Sequence, residues 1–121
     1  MKPQLPNLHY DFGTVLDRLG RYEEALEQFQ AAVEADPRDA ESWVMLGDSF
    51  MRSGRLPAAI ARYQEAVQIR PDAPAHNSLG FAYLRAGRLD NAIAEFREAL
   101  RLRPDDPQAQ ANLETALATR R

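Results

Sequence analysis

A motif that returns at a fixed interval constrains this chain more than any property of its composition. Gly20-Arg21-Tyr22-Glu23-Glu24-Ala25 recurs as Gly54-Arg55-Leu56-Pro57-Ala58-Ala59 and again as Gly87-Arg88-Leu89-Asp90-Asn91-Ala92. A proline closes each copy, at Pro37, Pro71 and Pro104, so the steps are 34 and 33 residues. Gly13, Gly47 and Gly80 keep the same rhythm. A period of about 20–50 residues marks a stack of small supersecondary units, each burying its apolar face against its neighbours.

Each copy predicts two helices. In the first, His9, Phe12, Gly13 and Leu16 lie at i, i+3, i+4 and i+7, one face of a helix. Past the Gly20-Arg21 break, Tyr22, Ala25, Leu26, Phe29 and Val33 form a second face that stops before Pro37. The second copy offers Trp43, Leu46, Gly47 and Phe50, then Leu56, Ala59, Ile60, Tyr63 and Val67. The third offers His76, Leu79, Gly80 and Tyr83, then Leu89, Ala92, Ile93, Phe96 and Leu100. A mid-helix glycine costs roughly 1 kcal/mol relative to alanine. Three of them in one slot imply a neighbouring helix too close for a side chain, with Phe29, Tyr63 and Phe96 filling the space nearby. Pro57 and Pro107 suit a first helical turn, where the missing N–H would have no helical partner. Glu23-Glu24 and Asp105-Asp106 suit helix starts, where the dipole favours negative charge.

These residues resemble the tetratricopeptide repeat family: Trp43, Leu46, Gly47 and Phe50, followed by Ala59, Tyr63, Ala66 and Pro71. The resemblance implies an all-α fold, a right-handed superhelical stack of seven helices. A leader over 1–5 precedes repeats at 6–39, 40–72 and 73–106 and a capping helix at 107–121. Only the second copy has tryptophan in its slot; the others read His9, His76 and Gln110. The third copy is one residue short between Pro71 and Ala75, which should tighten that turn.

The two ends differ. Gln110 and Glu114 stand where the second copy has Trp43 and Gly47, the polarity a terminal cap needs. At the other end, Leu8 and Val15 take slots that later copies give to Ser42 and Ser49, Ala75 and Ala82, Ala109 and Ala116. Either these two pack under the leader, or they form an apolar edge for self-association or one cut from a longer array.

Composition removes most other activities. The chain has 121 residues, no cysteine and two histidines, His9 and His76, two repeats apart. Disulfides, thiolate metal sites and cysteine nucleophiles are excluded, and no catalytic, metal or cofactor site is expected. With 15 basic against 18 acidic residues, the net charge is -3, a poor match for nucleic acid. No apolar run is long enough to span a membrane, and the start lacks the pattern of a secretory signal, which favours the cytoplasm.

What remains is a second stripe on the first helix of each copy. It carries Tyr10, Thr14, Asp17 and Arg18, then Val44, Met45, Asp48, Met51 and Arg52, then Asn77, Ser78, Phe81, Leu84 and Arg85. The resemblance implies that this stripe lines a concave groove for a peptide or a partner helix. Met45, Met51, Phe81 and Leu84 would give apolar contact, with Arg18, Arg52 and Arg85 as an arginine ladder for carboxylates. Relatives that clamp the C-terminal carboxylate of chaperones place lysine, asparagine and arginine where this chain has Tyr10, Thr14, Met45, Pro74 and Ser78. A clamp of that kind is not expected. The expected function is a non-catalytic protein–protein interaction scaffold, with a self-associating module, or a fragment of a larger protein, as the alternative.

Overall fold

The computed structural model describes residues 8–121; the expected leader, 1–5, lies outside the described residues. Seven helices follow one another among the described residues: α1 (Leu8–Arg18), α2 (Tyr22–Ala35), α3 (Ala40–Arg52), α4 (Leu56–Ile69), α5 (Ala73–Arg85), α6 (Leu89–Leu102) and α7 (Pro107–Arg120). Each packs antiparallel on the next, and α5 also meets α3 and α7 along one side of the stack. The result is an all-α array of helix pairs closed by a capping helix.

Local signals set the helix ends. Asp72 accepts a hydrogen bond from the Ala75 N–H at 3.0 Å, and Asp106 one from the Gln108 N–H at 3.0 Å, which caps α5 and α7. Pro57, Pro74 and Pro107 sit in first turns. The turn inside each pair needs a left-handed residue. Gly54 has φ 76° and donates to the Met51 carbonyl, while Arg55 donates to the Phe50 carbonyl at 2.9 Å. That double closure satisfies two carbonyls at the end of α3, and the same turn ends α1 and α5. Between pairs the linkers are 36–39 and 103–106, but only 70–72 before α5, the shorter connection the sequence implies.

The mid-helix glycines have a direct steric cause. A Cβ on Gly13, Gly47 or Gly80 would lie 2.8, 2.6 or 2.7 Å from the ring of Phe29, Tyr63 or Phe96 on the following helix. Those rings are buried, as are Ala25, Ala59 and Ala92 beside them. Enclosing one such ring stabilises the fold by roughly 1.5–3 kcal/mol, more than the glycine costs. One core gathers around Leu16, Phe29 and Leu46, and a second around Tyr63, Leu79 and Phe96.

Phe12 does not join the first core as its spacing predicts; it is exposed. Its slot is that of Leu46 and Leu79, which are buried where α3 and α5 meet the preceding helices, and no helix precedes α1 among the described residues. Tyr22, expected on the inner face of α2, is also exposed. Leu8 and Val15 are exposed as well, and any cover from the leader would involve residues outside those described. At the far end Gln110 and Glu114 are solvent-facing, joined by a hydrogen bond of 3.1 Å, as a cap requires.

Candidate functional site

The repeat places one pair of side chains at the same junction in every helix hairpin, with different chemistry each time. His9 Nδ1 meets Gln28 Oε1 at 2.8 Å, and His76 Nδ1 meets Glu95 Oε1 at 2.7 Å. In the middle copy the Arg62 guanidinium lies 5.9 Å from the Trp43 ring centre, a cation–π contact. Trp43 also donates its indole N–H to the Pro37 carbonyl at 2.8 Å. Both histidines are therefore held by polar partners within their own hairpins. No group of three or more metal-ligating side chains occurs among the described residues.

A series of adjoining openings runs along α3, α5 and α7. One cavity of about 310 Å³ is lined by Asp48, Met51, Arg52, Tyr63, Phe81 and Arg85. A second, of about 360 Å³, shares Asp48, Tyr63 and Phe81 and continues over Asn77 and Ser78 to Arg103, Gln108 and Asn112. A third, of about 210 Å³, adjoins at Pro74 and Ser78 and reaches Val44 and Glu41. These make a continuous trough with Asp48, Tyr63 and Phe81 at its centre. Phe81 is 41% exposed, a large ring turned into an open cleft, and the Arg85 guanidinium lies 6.0 Å from its centre.

Asp48 forms the polar floor. It accepts a hydrogen bond from the Tyr63 hydroxyl. Burial pushes the Asp48 carboxyl above the usual range, against the downward pull of the Tyr63 bond and of Arg52. Burial, followed by the Asp48 charge, pushes the Tyr63 phenol up as well, so it stays a donor. Arg52 turns partly away from the trough to reach Asp17 on α1, at 3.0 Å. Asn112 donates to Asn77 at 3.2 Å, which fixes α7 against α5 at the far wall.

Of the residues the sequence singles out, Val44, Asp48, Met51, Arg52, Asn77, Ser78, Phe81 and Arg85 line this trough. Tyr10 lies at a separate opening of about 540 Å³ with Asp11, Asp39 and Glu41. Its hydroxyl donates to Glu41 at 2.9 Å, and burial, then that bond, push its pKa up to about 12. Thr14 bonds back to the Tyr10 carbonyl within α1, and Arg18 is exposed. Met45 packs on the first core, and Val44, Met51 and Leu84 on the second; Val44 and Met51 still line the trough, whereas Met45 and Leu84 do not. The arginine ladder is uneven: Arg52 is engaged by Asp17 and Arg85 stacks on Phe81.

Sequence reasoning missed Tyr63, Asn112, Gln108 and Arg103. Tyr63 carried a readable signal, since its slot holds phenylalanine in the other two copies, so its hydroxyl had to find a partner.

Two models of the tetratricopeptide repeat match the chain, over residues 10–74 and 50–118. Superkiller protein 3 of Saccharomyces cerevisiae is 38% identical over 73 residues, covering 58% of this chain and 5% of that protein. Protein O-mannosyl-transferase TMTC2 of Mus musculus is 33% identical over 79 residues, covering 62% of this chain and 9% of that protein. The chain thus spans less than a tenth of the length of these relatives. Among solved structures, the first TPR of Spaghetti (RPAP3) bound to an HSP90 peptide superposes with a TM-score of 0.91 at 19% identity, covering 98% of this chain and 95% of that one. The Yersinia enterocolitica type III secretion chaperone SycD, in complex with a peptide of the translocator YopD, superposes at 0.89 with 20% identity, covering 99% and 98%. At such identities the likeness is one of fold.

Proposed function

Because the chain belongs to the tetratricopeptide repeat family, we propose that it is a non-catalytic protein–protein interaction scaffold whose trough along α3, α5 and α7 holds a peptide or helical segment. The observation that carries this reading is Phe81, a large ring exposed at the centre of a trough floored by the Asp48–Tyr63 pair and edged by Arg52 and Arg85. An apolar side chain of the ligand rests on Phe81 and Met51, and Arg85 pairs with a carboxylate. Asp48 receives a backbone or side-chain donor. Two structural neighbours hold peptides, in keeping with such a role. Tyr10, Thr14, Met45, Pro74 and Ser78 do not provide the cations and amides of a carboxylate clamp, so the ligand is an internal amphipathic segment and not a chaperone C-terminus.

The test is selection of a randomised linear peptide library on the wild-type chain, with counter-selection on Phe81→Glu. Phe81 is outside both cores, so the variant should fold. Selected peptides should share an apolar residue close to an acidic one and bind the variant at least about tenfold more weakly. No enrichment, or peptides that bind both chains equally, would remove the groove assignment.

A further inference from the structure

α1 turns a stripe of large apolar side chains outward. Leu8, Phe12 and Val15, with Leu19 in the turn that follows, recur at i, i+4, i+7 and i+11 and are 51, 50, 52 and 65% exposed. They occupy stacking slots. The matching residues Ser42, Leu46 and Ser49 on α3, and Ala75, Leu79 and Ala82 on α5, are all buried where those helices meet α2 and α4. On later helices the first and third of these slots are small, which lets the preceding helix come close. Leu8 and Val15 would hold off a helix stacked in that way, so another repeat of this array's kind does not fit. Another copy's C-terminal end does not fit either, because α7 presents Gln110 and Glu114 outward.

The stripe does fit itself. Two copies of α1 laid antiparallel across a two-fold axis set Leu8 against Leu19 and Phe12 against Val15, the larger side chain against the smaller at the centre. Asp11 and Arg18 lie seven residues apart on one margin of the stripe, and both are exposed. The same axis brings Asp11 of each copy beside Arg18 of the other, giving two complementary ion pairs. The four apolar side chains expose on the order of 400 Å², within the range of the largest apolar patch on a typical monomer, which is often functional. Doubled across the axis, and with its margins, the contact reaches about 1,000 Å², the lower bound for a specific interface.

We infer that this face is a homodimer interface in which α1 packs antiparallel on α1 of a second copy. The interface does not rest on the groove: Tyr10, Thr14 and Asp17 stand on the opposite side of α1, so both troughs stay open in the dimer. Sedimentation equilibrium of the full chain should give twice its 13.6 kDa at high concentration, with dissociation on dilution. Phe12→Glu should weaken association by about thirtyfold or more, as loss of a central aromatic anchor does, with unchanged helicity by circular dichroism. Leu19→Lys, outside any helix, gives a second reading that leaves the helices alone. Asp11→Arg and Arg18→Asp should each weaken the homodimer by about tenfold. An equimolar mixture of the two should recover it, since a mixed pair replaces like-charge contacts with opposite ones. A monomer at every concentration, its stripe covered by residues 1–7 or by a foreign protein, overturns the interface. A dimer indifferent to Phe12→Glu and Leu19→Lys overturns it too, and a mixture no tighter than either single variant overturns the antiparallel arrangement.

Discussion

Gly80→Ala sets two well-known effects against each other at one atom. In an open helix the change should stabilise the chain by about 1 kcal/mol, because alanine is the better helix former. Here the added methyl would lie 2.7 Å from Phe96 Cε1 and 2.8 Å from Cδ1, well inside ordinary contact. Phe96 is fully buried among Tyr63, Leu79 and Ile93, so its ring has no free direction to retreat. Forcing α5 and α6 apart should cost about 1–3 kcal/mol, as overpacking of a dense core does. Taking the upper part of that range, because the ring is enclosed, the net expectation is destabilisation by about 1–2 kcal/mol. Urea denaturation followed by circular dichroism reads this as a lower midpoint. The double variant Gly80→Ala/Phe96→Leu supplies the internal control. Phe96→Leu alone leaves a cavity, and the methyl added at position 80 fills part of it, so the double variant should lose less than the two single losses together. If Gly80→Ala raises the midpoint, or if the two losses simply add, then the glycine slot is not set by the facing ring.

Two other perturbations report on polar groups inside the stack. Ser49 is fully buried and its hydroxyl has no hydrogen-bond partner among the described residues, while Ala82 and Ala116 fill the same slot in α5 and α7. Ser49→Ala should therefore stabilise the chain by about 1 kcal/mol, and a lower denaturation midpoint would contradict this. At Asp48 burial raises the folded-state pKa, so the fold binds a proton more readily than the unfolded chain does. The stability that Asp48 contributes is then fullest below the ordinary carboxylate range and is lost as pH rises through its raised pKa. Asp48→Asn keeps an acceptor for Tyr63 without that loss. Its stability relative to wild type should grow as pH rises from the acid range towards neutrality. A difference that stays constant, or shrinks, across that titration would refute the assignment of burial as the dominant cause.

The helices are legible because their causes are local and repeated. Three copies of a glycine facing an aromatic, and three of the Gly-Arg turn, can be read from spacing alone. Phe12 misleads for the same reason: a slot rule taken from interior repeats cannot register that no described helix lies in position to cover it. Trough residues are legible where they belong to the stripe on α3 and α5, such as Asp48 and Phe81. They are not where a second helix contributes, as with Tyr63 from α4 and Asn112 from α7. Met45 and Leu84 show the converse, since periodicity assigns a face but not how far a flexible side chain folds back onto the core.

The side chains that meet inside each hairpin, His9 with Gln28, Trp43 with Arg62 and His76 with Glu95, have both members within one repeat. Duplicating or deleting a whole repeat would carry such a pair along intact, so each copy is free to diverge in chemistry without consulting its neighbours. Tyr10 with Glu41, Asp17 with Arg52 and Asn77 with Asn112 instead cross from one repeat to the next. A shuffled array would separate those partners. The internal pairs therefore make each repeat a transferable unit, while the crossing pairs record which unit must follow which.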